Sequence, residues 1–344
     1  MTTQTAPERA QAQANGSAVA LASPDRRPSG RTSEASGPPA PARAGGFTRR
    51  SPAGDVVLAY IGAQAGRLKA LDPLVRRDAP DSVHQMRVAA RRLRSTLQAY
   101  PAILPKHATR HLGAELKWLG EVLAEARDDE VLSAYLLSRL ASLPAEQVLG
   151  PAQARVRAQF APREAAAREA LLDALNSARY YTLVAELDRL LADPPLTVAA
   201  AKPAEDVLPR AIWRAYRRTR RRMHLAQRTA PGAGRDTALH ETRKAAKRAR
   251  YAAEAARPAL GKRARRVARP MKAVQSALGD HHDAVNARAA AREIGVRAHL
   301  AGENAFTFGL LGERAAHDAA DYEAQAQRAW QHAKRSKMRK QLGS

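Results

Sequence analysis

His84, Arg87, Arg91 and Arg94 stand at i, i+3, i+7 and i+10 of the stretch VHQMRVAARRLRSTLQAY, residues 83–100. On an α-helix, where each residue turns about 100°, they share one stripe no wider than about 80°. Val83, Met86, Ala90, Leu93 and Leu97 form the neighbouring stripe, which is predicted to be buried. Cations stacked at these spacings repel one another, and no acid lies between His84 and Arg94 to offset them. The chemistry on offer is anion capture. Arginine presents a planar fork to phosphate oxygens and lysine a point charge. Neighbouring cations lower a histidine's affinity for its proton, yet a neutral imidazole still donates one hydrogen bond.

The spacing returns in LHETRKAAKRARYAAEAA, residues 239–256. His240, Arg243, Lys247 and Arg250 repeat the basic stripe, with Leu239, Thr242, Ala246, Ala249 and Ala253 beside it. The offset is 240 − 84 = 156, and Tyr60 and Tyr216 share it. Arg110 with Arg265, Lys117 with Lys272, Leu123 with Leu278 and Asp128 with Asp283 agree at 155. One charged stripe is usually a solvated face, but two copies in register with other pairs are an internal duplication. Asp128 and Asp283, one per repeat, are candidate partners for the stacked cations.

More cations follow. Arg110 and Lys117 are seven apart, Arg265, Arg269 and Lys272 fall at i, i+4, i+7, and Arg214, Arg217 and Arg221 form a stripe before the second signature. Packed together, these helices would line one long positive groove. Ile61 and Ala65 stand 156 residues before Arg217 and Arg221, so the halves are expected to contribute unequally.

These stripes resemble the signature helices of the CHAD family, the conserved histidine α-helical domain. So do Lys117-Trp-Leu-Gly with Ala126-Arg-Asp128, and Lys272-Ala-Val-Gln275 with Leu278-Gly-Asp-His-His-Asp283. The resemblance covers roughly 55–340. It implies an all-α fold of two tandem repeats, forming two helical bundles with pseudo-two-fold symmetry. It also implies a basic central groove, lined by the histidines and cations named above, that binds inorganic polyphosphate and associates with polyphosphate granules. Proteins of this family often carry a CYTH-type triphosphate-processing domain with Glu-x-Glu-x-Lys on a strand. This chain lacks that motif, so a stand-alone binding module is expected.

Composition bounds the alternatives. The 344 residues hold 58 Lys+Arg against 33 Asp+Glu, a net charge of +25, which points to a polyanionic partner. A nucleic-acid-binding helical protein is the second reading. The scarcity of aromatics for base stacking argues against it, as does the absence of a reader motif. With no cysteine, disulfides, thiolate catalysis and Cys-based zinc sites are excluded. Phosphate-loop, dinucleotide, His-Glu-x-x-His and G-x-S-x-G motifs are absent, so neither an enzyme nor a cofactor is expected. A phosphohydrolase, the third reading, lacks a carboxylate cluster for metal ions. His281-His282-Asp283 resembles a metal site, but adjacent helical residues point about 100° apart and make poor joint ligands. No run of 18 apolar residues could span a membrane, and no secretory signal opens the chain. A cytoplasmic protein is expected.

The elements that must position these residues are helical. Residues 1–54 hold 7 of 21 prolines and 6 of 20 glycines and read as a disordered tail. The first repeat is placed at 55–192, a linker at 193–203 and the second repeat at 204–340. Predicted helices in the first half run over 56–77, 83–100, 106–123, 128–143 and 145–178, with Asp81 or Ser82 as the cap of the signature helix. The second half starts near 204, breaks at 231–234, and continues through the second signature, 263–278, 280–294 and a long helix from about 304. The five cations within 334–340 read as a solvated tail.

Overall fold

The computed structural model describes residues 46–335. They fold as α1 (Ala53–Arg76), α2 (Ser82–Ala99), α3 (Lys106–Ala141), α4 (Ala152–Asn176), α5 (Ala178–Ala192), α6 (Ala204–Arg228), α7 (Ala233–Leu260), α8 (Lys262–Leu300) and α9 (Phe306–Arg335). Short 3-10 turns occupy Ala145–Gln147 and Val198–Ala201. No β-strand occurs among the described residues, so the fold is all-α. Residues 1–45 of the predicted tail, and 336–340 of the C-terminal basic run, lie outside the described residues.

Three predicted boundaries change. Residues 106–141 form one helix rather than two, because Ala124-Glu-Ala-Arg127 are good helix formers with no breaker among them. Residues 262–300 are likewise one helix, running through Gly279. The predicted helix over 145–178 is instead broken. Gly150, at φ +72°, and Pro151 end the preceding turn, and α4 starts at Ala152. Ser177 then caps a separate α5, its hydroxyl accepting from the Tyr180 N–H at 3.3 Å. Asp81 holds the N-cap position of α2 but makes no side-chain cap; its carboxylate accepts from the Gln85 amide instead.

The structure also reaches into the predicted tail. Ala53 N–H donates to Lys202 O, Ala204 N–H to Ser51 O and Glu205 N–H to Arg49 O, all within 3.0 Å. Pro52 and Pro203 bridge antiparallel, so α1 and α6 start side by side. Both prolines are N-cap residues, so the two helix starts stand 203 − 52 = 151 residues apart. Ile61 and Ala65 are fully buried, whereas Arg217 and Arg221 are exposed.

Two apolar cores form, and neither belongs to one half of the sequence. The larger joins α1, α2, α5, α6 and α7 with the first halves of α3 and α8 and the end of α9, around Leu68, Leu93, Leu116, Met223, Val274 and Trp330. The long helices then leave it. The second half of α3 (Leu136, Leu140) and of α8 (Ala291, Ile294) meet α4 (Val156, Phe160) and α9 (Phe308, Leu311) in a smaller core. Burying these side chains, at about 1.5–3 kcal/mol each, offsets the entropy of ordering such long helices.

Candidate anion-binding site

The signature helices α2 and α7 pack against each other. Met86, Ala90, Leu93 and Leu97 of α2 are buried, as are Leu239, Thr242, Ala246, Ala249 and Ala253 of α7. The small residues of α7 allow close approach, which draws the adjoining basic stripes into one neighbourhood.

At the start of the stripes lies a basic pit. Arg87 Nη1 donates to Asp128 Oδ1 of α3 at 2.6 Å, and Arg91 Nε donates to the Tyr251 hydroxyl at 3.1 Å. Burial lowers the pKa of Arg243, and Arg91 and Arg87 push the same way against Asp283 and Asp128. Lys247 is held well below its usual range by burial, then by Arg91, Arg243 and Arg87. Burial raises the pKa of Asp283 against the pull of Arg243. Asp128 and Asp283 thus supply the carboxylates expected of them, and Asp280, raised to about 6 by burial and then by Asp283, stands near Arg243 as well.

Histidines line the same pit. Burial lowers the pKa of His84, and Arg91, Arg127 and Arg87 push the same way against Asp81. His240 and His282 pack with ring centroids 4.2 Å apart and planes tilted at 45°, and each is lowered to about 4, first by burial and then by neighbouring basic groups, for His282 chiefly His240. His240 Nδ1 and Arg243 Nε are buried with no hydrogen-bond partner. His281 turns away, its Nε2 3.5 Å from Asp236 Oδ1. Among the described residues no cluster of three or more His, Asp or Glu could hold a metal ion.

Further along the stripes the pit gives way to a cleft of about 910 Å³ between α2, α3, α6 and α7. Arg94 comes from α2, Arg110 and Lys117 from α3, and Arg214, Arg217 and Arg221 from α6. Lys106, Arg218 and Arg248 complete nine lining cations, and no lining residue is acidic. Lys117 pairs with Glu121 at 3.0 Å. The other eight make no hydrogen bond or ion pair among the described residues, and Arg94 Nε is buried without a partner.

Four predicted site residues lie elsewhere. Arg250 is 3 % exposed, and its guanidinium donates to Glu254 Oε1 at 2.6 Å and Gln275 Oε1 at 3.2 Å. Glu254 also lies 3.6 Å from Arg92, so Arg250 belongs to a buried charge network around Tyr251. Its counterpart Arg94 escapes this because Gln98 stands where Glu254 does, at 254 − 98 = 156. Arg265, Arg269 and Lys272 are exposed on α8 and do not line the cleft.

Four site residues were missed. Arg218 lies on the stripe of Arg214 and Arg221, so its signal was present. Lys106 opens α3 four residues before Arg110, a visible spacing. Arg248 is one residue from the chosen Lys247, and only packing shows that both meet anion-accessible space. His282 was set aside as a metal ligand, and its packing on His240 is a tertiary fact.

Comparison with known proteins identifies the fold and family. The CHAD domain family model matches residues 59–292. Uncharacterized protein Rv2226 of Mycobacterium tuberculosis is 36 % identical over 268 residues, 77 % of this chain and 50 % of that protein, and a second strain holds a similar relative. The chain therefore spans about half the length of the curated relatives it matches. The CHAD domain from the plant Ricinus communis superposes with TM-score 0.64 at 28 % identity, covering 82 % of this chain and 93 % of that one. PptA from Streptomyces chartreusis has the same fold, with TM-score 0.69 at 24 % identity over 82 % of this chain and all of that one. With two thirds of its residues matched by the family model and its fold shared with a solved member, the chain belongs to the CHAD domain family.

Proposed function

We propose that the protein binds inorganic polyphosphate along the pit and cleft, holding the polymer without cleaving it. The observation that carries this reading is the cleft itself. Eight of its nine cations are unpaired and no carboxylate lines it, whereas Arg76, Arg139, Arg155, Arg179 and Arg235 elsewhere all have acidic partners. Unpaired cations this close repel each other, and an anionic polymer relieves that cost at many points at once. The stripe on α2 leads from Arg87 and Arg91 in the pit to Arg94 in the cleft, so one extended anion can follow both. Association with polyphosphate granules follows from the same binding.

The test is competition. A labelled long-chain polyphosphate is bound, then challenged with single-stranded DNA and RNA at equal phosphate. Polyphosphate is expected to resist displacement, with its chain length unchanged after incubation. Equal competition by DNA overturns the reading in favour of a nucleic-acid-binding protein, and chain shortening overturns the non-enzymatic part.

A further inference from the structure

The pit and the cleft are lined by different chemistry. The pit gathers Arg, Lys, His and Asp side chains. In the cleft's lining, apolar side chains, among them Ala99 of α2, Ala114 of α3 and Ala215 of α6, are interleaved with the arginines. Polyphosphate presents only oxygens, which gain nothing from apolar side chains. A ligand that joins a phosphate chain to an apolar body would use both surfaces. The volume, about 910 Å³, is that of sites that enclose a whole small molecule.

Resting on the polyphosphate reading of the same tract, we propose that the cleft is also a site for a nucleoside polyphosphate. The base lies on the apolar side chains between α3 and α6, and the phosphates run toward Arg94 and Arg248. Arginine suits both tasks: its planar guanidinium stacks on a base and forks onto phosphate oxygens. The cleft lies open along a rim of exposed Arg214, Arg217 and Arg218. A flexible alkyl chain would need a closed tunnel to be kept from water; a flat base covered by guanidinium planes does not. Gly113 and Ala114 keep the α3 wall low, and a Cβ on Gly113 would meet nothing within 4 Å.

The experiment measures ATP, inorganic tripolyphosphate and dodecyl phosphate binding to the full chain by calorimetry, with long-chain polyphosphate as a separate arm. ATP is expected to bind about tenfold more tightly than tripolyphosphate, which has the same phosphate chain without the base. Gly113→Leu projects a side chain into the cleft without altering charge. It should lower ATP affinity toward the tripolyphosphate level, and by more than it lowers tripolyphosphate affinity. Ala114→Leu, at an exposed lining position, is the second variant should the first fold poorly. Tripolyphosphate matching ATP, unaltered ATP binding in both variants, or dodecyl phosphate outcompeting ATP overturns the proposal. The long-chain arm separates this failure from that of the polyphosphate reading, since only the latter predicts tight long-chain binding irrespective of ATP.

Discussion

A Cβ on Gly279 would stand 3.5 Å from both Nε and Nη2 of Arg243, so this glycine of α8 is the bed on which the α7 guanidinium lies. A glycine inside a helix costs about 1 kcal/mol relative to alanine, and the 3.5 Å clearance accepts a methyl but nothing larger without moving Arg243. It ties the orientation of a pit cation to the neighbouring helix.

That contact separates two substitutions. Gly279→Ala makes an ordinary 3.5 Å contact and should leave polyphosphate binding unchanged while stabilising the fold by up to about 1 kcal/mol. Gly279→Leu should displace Arg243 and weaken binding as much as Arg243→Ala, and the double variant should lose no more than either single one. Additive losses would show that the glycine and the arginine act independently.

Arg94 and Arg250 hold equivalent places in the repeat and should fail differently. Arg250→Ala leaves the half-buried Glu254 with Arg92 at 3.6 Å and should destabilise the fold by about 3 kcal/mol in urea unfolding. Arg94→Ala should change stability by less than about 0.5 kcal/mol while lowering polyphosphate affinity. Binding loss in Arg250→Ala at full stability would contradict its structural role.

Salt measures the number of cations engaged. Each cation meeting a phosphate releases counterions, with a slope of log K against log salt of roughly −0.7 per contact for single-stranded nucleic acid. Six contacts along pit and cleft give a slope of about −4 or steeper, whereas capture of one terminal phosphate gives a slope nearer −2. A shallow slope would exclude a polymer lying along the whole tract.

The histidines set a pH dependence of definite sign. His240 and His282, lowered to about 4, are neutral in the free protein at pH 7. A bound polyanion raises both, so the complex holds more protons and affinity should rise as pH falls toward about 4. Without ligand the stability effect is opposite. The unfolded chain, with histidines near 6.5, binds more protons, so stability should fall between about pH 6.5 and 4. Replacing His240 with Gln and His282 with Asn should flatten both dependences, measured by binding to long chains and by thermal unfolding. An unchanged binding profile would place the protons elsewhere.

Much of this protein was legible in its sequence because helical periodicity is local. Spacing alone placed the basic and buried stripes of α2 and α7, and the alanine-rich composition indicated packed helices without strands. The continuity of α3 was equally local, held in Ala124-Glu-Ala-Arg127, and was passed over. What only the tertiary structure decided is which cations remain free. Arg94 and Arg250 are indistinguishable by spacing, yet Glu254 neutralises one of them, with Gln275 accepting a further hydrogen bond, and Gln98 leaves the other unpaired. Arg265, Arg269 and Lys272 match the stripe of α3 but lie outside the cleft. Arg218 and Arg248 line it because α6 and α7 meet α2 and α3 there. The side-by-side start of α1 and α6, at the bridge between Pro52 and Pro203, is likewise a tertiary fact. A residue's charge and helical face are fixed by its neighbours in the chain, but its electrostatic partners come from other helices, and only packing brings those within reach.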